Sequence, residues 1–168
     1  MQLKLSKSAR GWLTNILIIL AVYWAVQFYQ SRESPSSGPA PEIEGVTLNG
    51  NTLSLHAQKG QPVLIYFWAT WCSVCALTKE SINDIAQDHH VITIASQSGS
   101  SADIQKYVRE NDFTAPVIND ADSRLSQSYG VRAFPSIFII NPDGEIYDVE
   151  VGLSSEWGLR FRLWMAGS

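Results

Sequence analysis

The run Pro62-Val63-Leu64-Ile65-Tyr66-Phe67-Trp68 constrains this chain more than any other segment, because it offers no charged residue and no polar face. It has the length of a strand, and a strand apolar on both sides must be covered on both sides. That excludes a half-solvated sheet around it and asks for layers packed on its two faces. The downstream sequence supplies the material. Residues 72–88 have helical spacing, with Ile82, Ile85 and Ala86 as the stripe to be buried. Residues 91–95 form a second core strand. After the polar turn 96–100, a helix capped by Ser101 or Asp103 reaches about Asn111, with Ile104, Tyr107 and Val108 on one face. Residues 116–118 are a short strand, and residues 123–129 a short helix stopped by Gly130. Two strands, 136–140 and 145–151, flank the turn sequence Asn141-Pro142-Asp143-Gly144. A last helix covers residues 154–166, where Trp157 and Trp164, seven apart, are expected in the core. Ahead of all this, Val46, Leu48, Leu53 and Leu55 alternate around Asn49-Gly50, a hairpin signal. Strands alternating with helices and closed by a hairpin and a helix describe an α/β layered domain over residues 42–168.

The composition, 45% hydrophobic and 17% charged, is that of a chain with a packed core. Net charge is −4, but Lys4, Lys7 and Arg10 supply +3 before any acid, which leaves −7 on the rest. An acidic body without a basic cluster argues against a nucleic-acid partner. Residues 11–29 carry no charge and include the apolar stretch Ile16-Leu17-Ile18-Ile19-Leu20-Ala21-Val22. As a helix they would span roughly 28 Å, enough for the hydrocarbon core of a bilayer. Trp12 on one side and Tyr23, Trp24, Phe28 and Tyr29 on the other suit the two interfaces. A cleaved signal would have a shorter core and small residues after it, whereas aromatics and Gln27 follow here. Residues 1–10 are therefore expected to be a cytoplasmic basic flank, 11–29 a retained single-pass anchor, and everything after Arg32 extracytoplasmic. Residues 30–41, rich in Ser, Pro and Gly, form a semi-extended linker.

The two cysteines of the chain, Cys72 and Cys75, stand where the apolar strand gives way to a helix. Thiolate is the reactive form of cysteine, and the N–H groups at a helix start favour negative charge. Cys72 is accordingly the exposed, acidified nucleophile, and Cys75, almost one turn on, the more buried resolving thiol. With neither cysteine having a distant partner, no disulfide framework is expected, and a lone tetrahedral zinc site would need two further ligands. His89-His90 are expected to sit in solvent rather than bind metal, as are Lys59 and Lys79. Trp68 suits core packing and Trp71 a partner-contacting surface.

The string Phe67-Trp68-Ala69-Thr70-Trp71-Cys72-Ser73-Val74-Cys75 resembles the active-site signature of thioredoxin-like proteins, and is most similar to the membrane-anchored TlpA/ResA/DsbE group of bacteria. The hairpin around Asn49-Gly50 resembles the added N-terminal hairpin of that group, and Tyr129-Gly130-Val131-Arg132-Ala133-Phe134-Pro135-Ser136 its segment ending in a cis-proline. The resemblance implies a thioredoxin-like fold with a mixed central sheet. It implies thiol–disulfide exchange through a redox-active Cys72–Cys75 disulfide with no other cofactor. It also implies a periplasmic domain on the bacterial inner membrane, with protein dithiols or disulfides as substrates. A reductant fed by a DsbD-like membrane electron donor is the direction it favours. Pro135 would face the cysteines and leave a backbone edge for substrate, with Phe134 touching that substrate, and Ser73 and Val74 would tune the Cys72 thiolate. The chain departs from the group at three positions where an acid is common: Tyr66, Thr78 and Ser136. A peroxidase reading fails on the position of Thr70 relative to Cys72. The Ser73-Val74 pair in an anchored protein of this size also resembles copper-sensitivity-suppressor proteins of the ScsD type, so Cu(I) binding by the same two thiolates is the alternative.

Overall fold

The structure, a computed structural model, describes residues 37–168. The basic flank, the apolar stretch 11–29 and most of the linker lie outside the described residues. Among those described, no helix is long and apolar enough to cross a membrane.

The apolar run forms strand β4 (Val63–Trp68), buried at every position. It pairs in parallel with β5 (His90–Ser96) and antiparallel with β7 (Ser136–Ile140). Beyond β5 lies β6 (Val117–Asp120), parallel to it. Beyond β7 come β8 (Glu145–Val151) and a two-residue strand, β1 (Gly38–Pro39), both antiparallel. The six strands run in the order β1-β8-β7-β4-β5-β6. The lack of a polar face on β4 now has its cause. Leu64, Tyr66 and Trp68 enter one core with Ile82 and Ile85 of α1 (Ser73–Ile85), Ile104 of α2 (Ser101–Glu110) and Leu159 and Leu163 of α4 (Glu156–Ala166). Val63, Ile65 and Phe67 enter a second core with Ile43, Leu55, Tyr129 and Phe138. Burying one such side chain contributes about 1.5–3 kcal/mol. In the second core the rings of Phe67, Tyr129 and Phe138 lie within 5.0–5.6 Å of one another in tilted and edge-on arrangements. This is a thioredoxin-like α/β fold.

Strands β2 (Glu44–Val46) and β3 (Thr52–Ser54) pair antiparallel across the turn that holds Asn49-Gly50, where Gly50 takes φ +84°. The Leu48 N–H donates to the Val117 carbonyl, which ties this hairpin to β6.

Several boundaries differ from those the sequence suggests, each for a physical reason. Residues 38–41 look like linker by composition but belong to the fold: β1 joins the sheet, and the Tyr129 hydroxyl donates to the Pro41 carbonyl at 2.6 Å. Helix α2 is capped by Ser100, whose hydroxyl accepts from the Asp103 N–H while the Asp103 carboxylate accepts from the Ser100 N–H, a reciprocal capping box. Lys79 is not merely a solvated charge, since its ammonium donates to the Asn111 carbonyl. The largest difference is on α4. Trp157 is 81% exposed and Trp164 64% exposed, against the core position expected for both. Leu159, Leu163 and Ala166 form a rival apolar stripe on the opposite side of the helix, and the sheet takes that one.

Helix α1 ends at Ile85, and the turn after it places Asp88 against Arg160 of α4, with Nη1 to Oδ2 at 2.7 Å. The Arg160 hydrogen bond, with His89 adding to it, lowers the Asp88 carboxyl from 3.8 to about 2. A carboxyl with a lowered folded pKa stabilises above its unfolded value, so this link is intact above about pH 4 and is lost as pH falls towards 2. Acid titration of thermal unfolding should therefore show the wild type losing more melting temperature between pH 4 and pH 2 than Asp88→Asn does.

Candidate active site

The site is assembled where β4 ends. Ala69, Thr70 and Trp71 turn the chain into α1, and Cys72 is the residue that caps that helix, in extended conformation. Two bonds pin the turn to the loop after β5. The Thr70 N–H donates to Ser98 Oγ at 3.0 Å, and the Trp71 indole N–H donates to the Gln97 carbonyl at 3.0 Å.

Cys72 and Cys75 form a disulfide, with Cα atoms 5.3 Å apart. The Cys75 N–H donates to Cys72 Sγ at 3.1 Å, so the first orphan donor of α1 that reaches the sulfur is a backbone group. Cys72 is less exposed than its expected role suggests, at 7%, because the disulfide folds it back over the first turn; Cys75 is deeper still, at 3%. Cys72 nevertheless opens onto a cavity of about 560 Å³, shared with Trp71, Val74, Gln97, Arg132 and Phe134.

Of the residues singled out from sequence, Trp71, Cys72, Ser73, Val74 and Phe134 line this cavity together. The rings of Trp71 and Phe134 meet edge to face at 5.6 Å, and Phe134 also packs on both cores. Pro135 follows with a cis peptide bond but does not line the cavity. Its carbonyl is not free, because it accepts from the Gly152 N–H at 2.9 Å.

Residues 37–149 match the AhpC/TSA family over more than half of the chain. The chain belongs to that family. It is 31% identical over 169 residues to a thioredoxin-like protein of Haemophilus influenzae, covering 98% of both chains. It is 30% identical over 156 residues to the thiol–disulfide oxidoreductase ResA of Bacillus subtilis, covering 85% of each. Among solved structures, the exposed lipoprotein thioredoxin Etrx1 of Streptococcus pneumoniae superposes with a TM-score of 0.69 at 27% identity, covering 74% of this chain and 99% of that one. A DsbE-type protein of Chlorobium tepidum shares the fold at TM-score 0.71 and 21% identity. With its cysteine pair intact, the chain is a thiol–disulfide oxidoreductase acting on protein thiols and disulfides.

The surroundings of the pair carry hydroxyls at the three positions where the sequence resemblance led to the expectation of an acid. The Tyr66 hydroxyl, buried beneath α1, donates to the Cys75 carbonyl at 3.2 Å. Burial, with Tyr107 adding to it, raises the Tyr66 hydroxyl well above the ordinary phenol range, so it stays neutral. Thr78 is fully buried one turn below Cys75 and donates to the Val74 carbonyl at 3.3 Å. These groups hold the first turn of α1 through its carbonyls and carry no charge towards the sulfurs. Ser136, the third such position, donates to the Ala133 carbonyl and fixes the loop before Pro135.

Among the groups that sequence reasoning missed is Asp120 at the end of β6. Its buried carboxyl accepts from the Leu125 N–H and the Ser126 N–H, both at 3.0 Å, from Ser126 Oγ at 2.6 Å and from Ser96 Oγ at 3.4 Å. Ser126 and Ser123, which open α3 (Arg124–Ser128), line the cavity beside Cys72, so Asp120 props up its far wall. The signal was present, an acid four residues ahead of a short helix as a capping group, but only the fold places it behind the cysteines. Among the described residues, no group of three or more His, Cys, Asp or Glu side chains is arranged to hold a metal, and His89 is engaged with Asp88 at 2.9 Å.

Proposed function

We propose that this oxidoreductase is anchored in the bacterial inner membrane by residues 11–29 and reduces disulfides of proteins outside the cytoplasm. Lys4, Lys7 and Arg10 keep the N-terminus on the cytoplasmic side. The observation that carries the chemistry is the position of Cys72 Sγ, at the cap of α1, under the Cys75 N–H and open to the cavity.

In the dithiol form, the Cys72 thiolate attacks one sulfur of a substrate disulfide. That S–S bond breaks, a bond from Cys72 to the substrate forms, and the released sulfur takes up a proton. Cys75 then loses its proton and attacks Cys72 Sγ, which expels the second substrate thiol and closes the Cys72–Cys75 bond. The substrate gains two electrons from the cysteine pair and two protons, one given up by Cys75 and one taken from solvent, where Cys72 left its own on ionising. A substrate segment lies across the cavity over the paired rings of Trp71 and Phe134, alongside Ser73 and Val74 of the first turn. Turnover requires a dithiol donor, a role suited to a DsbD-like membrane protein. No observation favours Cu(I) binding over this exchange chemistry.

The test is the reduction potential of Cys72–Cys75 in the full chain, equilibrated with defined dithiothreitol or glutathione buffers. A value near that of thioredoxin, about −270 mV, is expected for a reductant. A value near about −120 mV would make the protein an oxidant and overturn the proposed direction.

A further inference from the structure

Helix α4 has two apolar sides. Leu159, Leu163 and Ala166 face the sheet and are buried. Trp157, Phe161, Trp164 and Met165 face away: Phe161 is 60% exposed and the two indoles more so. At 3.6 residues per turn these four fall within about 100° of one another, opposite the buried stripe. The rings of Phe161 and Trp164 lie 5.9 Å apart, so the stripe is continuous.

Arg160 and Arg162 border it, one on each side, by the same helical geometry. Both are spent on neighbouring acids. Arg160 binds Asp88 and Glu156, and Arg162 binds Asp148 and Glu150 at 2.7 and 2.9 Å. In an acidic domain, the acids around this one surface are thus neutralised. A helix face of Trp, Phe and Met flanked by arginine has the chemistry of the lipid headgroup region, where indole rings settle at the boundary between headgroups and acyl chains.

The length of chain outside the described residues says which surface covers it. The charge-free stretch ends at Tyr29, and the seven residues 30–36 reach at most about 25 Å when fully extended. A domain tethered so closely meets the headgroup layer at high effective concentration, so a patch too small to bind membranes from solution suffices.

We propose that the face of α4 formed by Trp157, Phe161, Trp164 and Met165 docks on the lipid interface of the membrane that holds residues 11–29. The proposal rests on the anchoring proposed above. Because α4 packs on α1, whose cap carries the disulfide, docking sets the height and tilt at which Cys72 meets a membrane-embedded dithiol donor.

The six tryptophans report on both ideas at once. The full chain, with indole nitrogens isotopically labelled, is reconstituted into nanodiscs containing lipids that carry a nitroxide near the top of the acyl chain. Trp12 and Trp24 should lose their indole signals through anchoring. Trp157 and Trp164 should lose theirs through docking, while the buried Trp68 serves as the reference that keeps its signal. Phe161→Gln, an exposed substitution away from the cysteines, should restore the Trp157 and Trp164 signals and leave reduction of a small soluble disulfide unchanged. Loss at Trp12 and Trp24 with Trp157 and Trp164 retained would overturn docking and leave the anchor standing. Retention of all six signals would remove the anchor and docking together. Trp157 and Trp164 shielded from a soluble paramagnet yet untouched by the lipid nitroxide would mean that a second copy or another protein covers the stripe, and would also overturn the proposal.

Discussion

Cys72→Ser should abolish reduction of a protein disulfide, while Cys75→Ser should leave the first step intact and trap the substrate on Cys72. The asymmetry follows from position. Cys72 opens onto the cavity and receives the Cys75 N–H, so in the reduced protein its thiolate has a donor and a route to substrate. Cys75 is deeper, does not line the cavity, and reaches only the sulfur three residues before it. Removing a nucleophile with no substitute nearby should lower turnover on the order of 10³-fold or more. Cys75→Ser should accumulate a covalent complex, visible as a band on non-reducing gels that thiol reductants dissolve. If the two serine variants exchanged these behaviours, the assignment of attacking and resolving sulfur would be reversed. If both kept full turnover, the chemistry would lie elsewhere in the chain.

Asp120→Ala is expected to be the most destabilising single substitution outside the hydrophobic cores. The carboxyl is the shared acceptor for two N–H groups and two hydroxyls that are themselves buried or partly buried. Alanine removes the acceptor from all four donors at once, and a buried donor left without an acceptor costs about 1–3 kcal/mol. The bonds do not add independently, and the two hydroxyls can still bond to each other, so the net loss should be about 2–4 kcal/mol. Denaturant unfolding of the oxidised protein measures it directly. Asp120→Asn, which keeps an acceptor oxygen, should recover part of the loss, and Ser126→Ala should cost less than either because the two N–H bonds survive. A loss below about 1 kcal/mol for Asp120→Ala would mean that water replaces the carboxyl and that the far wall of the cavity is softer than its bonding indicates.

The parts of this fold that were legible in the sequence are those whose signal is local. A strand apolar on both faces, a C-x-x-C following it, and turn sequences such as Asn141-Pro142-Asp143-Gly144 each state their geometry within a few residues, and the strands β4, β5, β7 and β8 lie where those signals put them. The cavity-lining residues Trp71, Ser73, Val74 and Phe134 were found because they neighbour the cysteines or the proline in sequence. What was not legible depended on a choice between remote surfaces. α4 offers the sheet two apolar stripes of similar width, and periodicity alone ranks Trp157 and Trp164 as highly as Leu159 and Leu163. The compact, branched leucines fit between α1 and β7, and the indoles were left outside. Gln97, Ser126 and Asp120 reach the site from a loop, a short helix and a strand end separated from Cys72 by 25 or more residues, and nothing near them in sequence mentions a thiol. The same holds for Gly45, where an added Cβ would lie 2.9 Å from Ile118 Cγ2: its smallness makes sense only once the hairpin is laid against β6.

The short strand β1 also decides how this protein can be cut. Gly38 and Pro39 occupy the outer edge of β8, and Pro41 receives the Tyr129 hydroxyl from the second core. A fragment begun at Glu42, the first residue that composition alone would assign to the domain, strips off both. It bares a row of unpaired β8 backbone groups, the kind of rim along which strands of separate molecules add to one another and precipitate. Proline in the covering strand has the opposite effect, since it has no N–H to offer a newcomer. The last residues of the tether therefore act as a selvedge for the sheet, and a soluble fragment should start no later than residue 37.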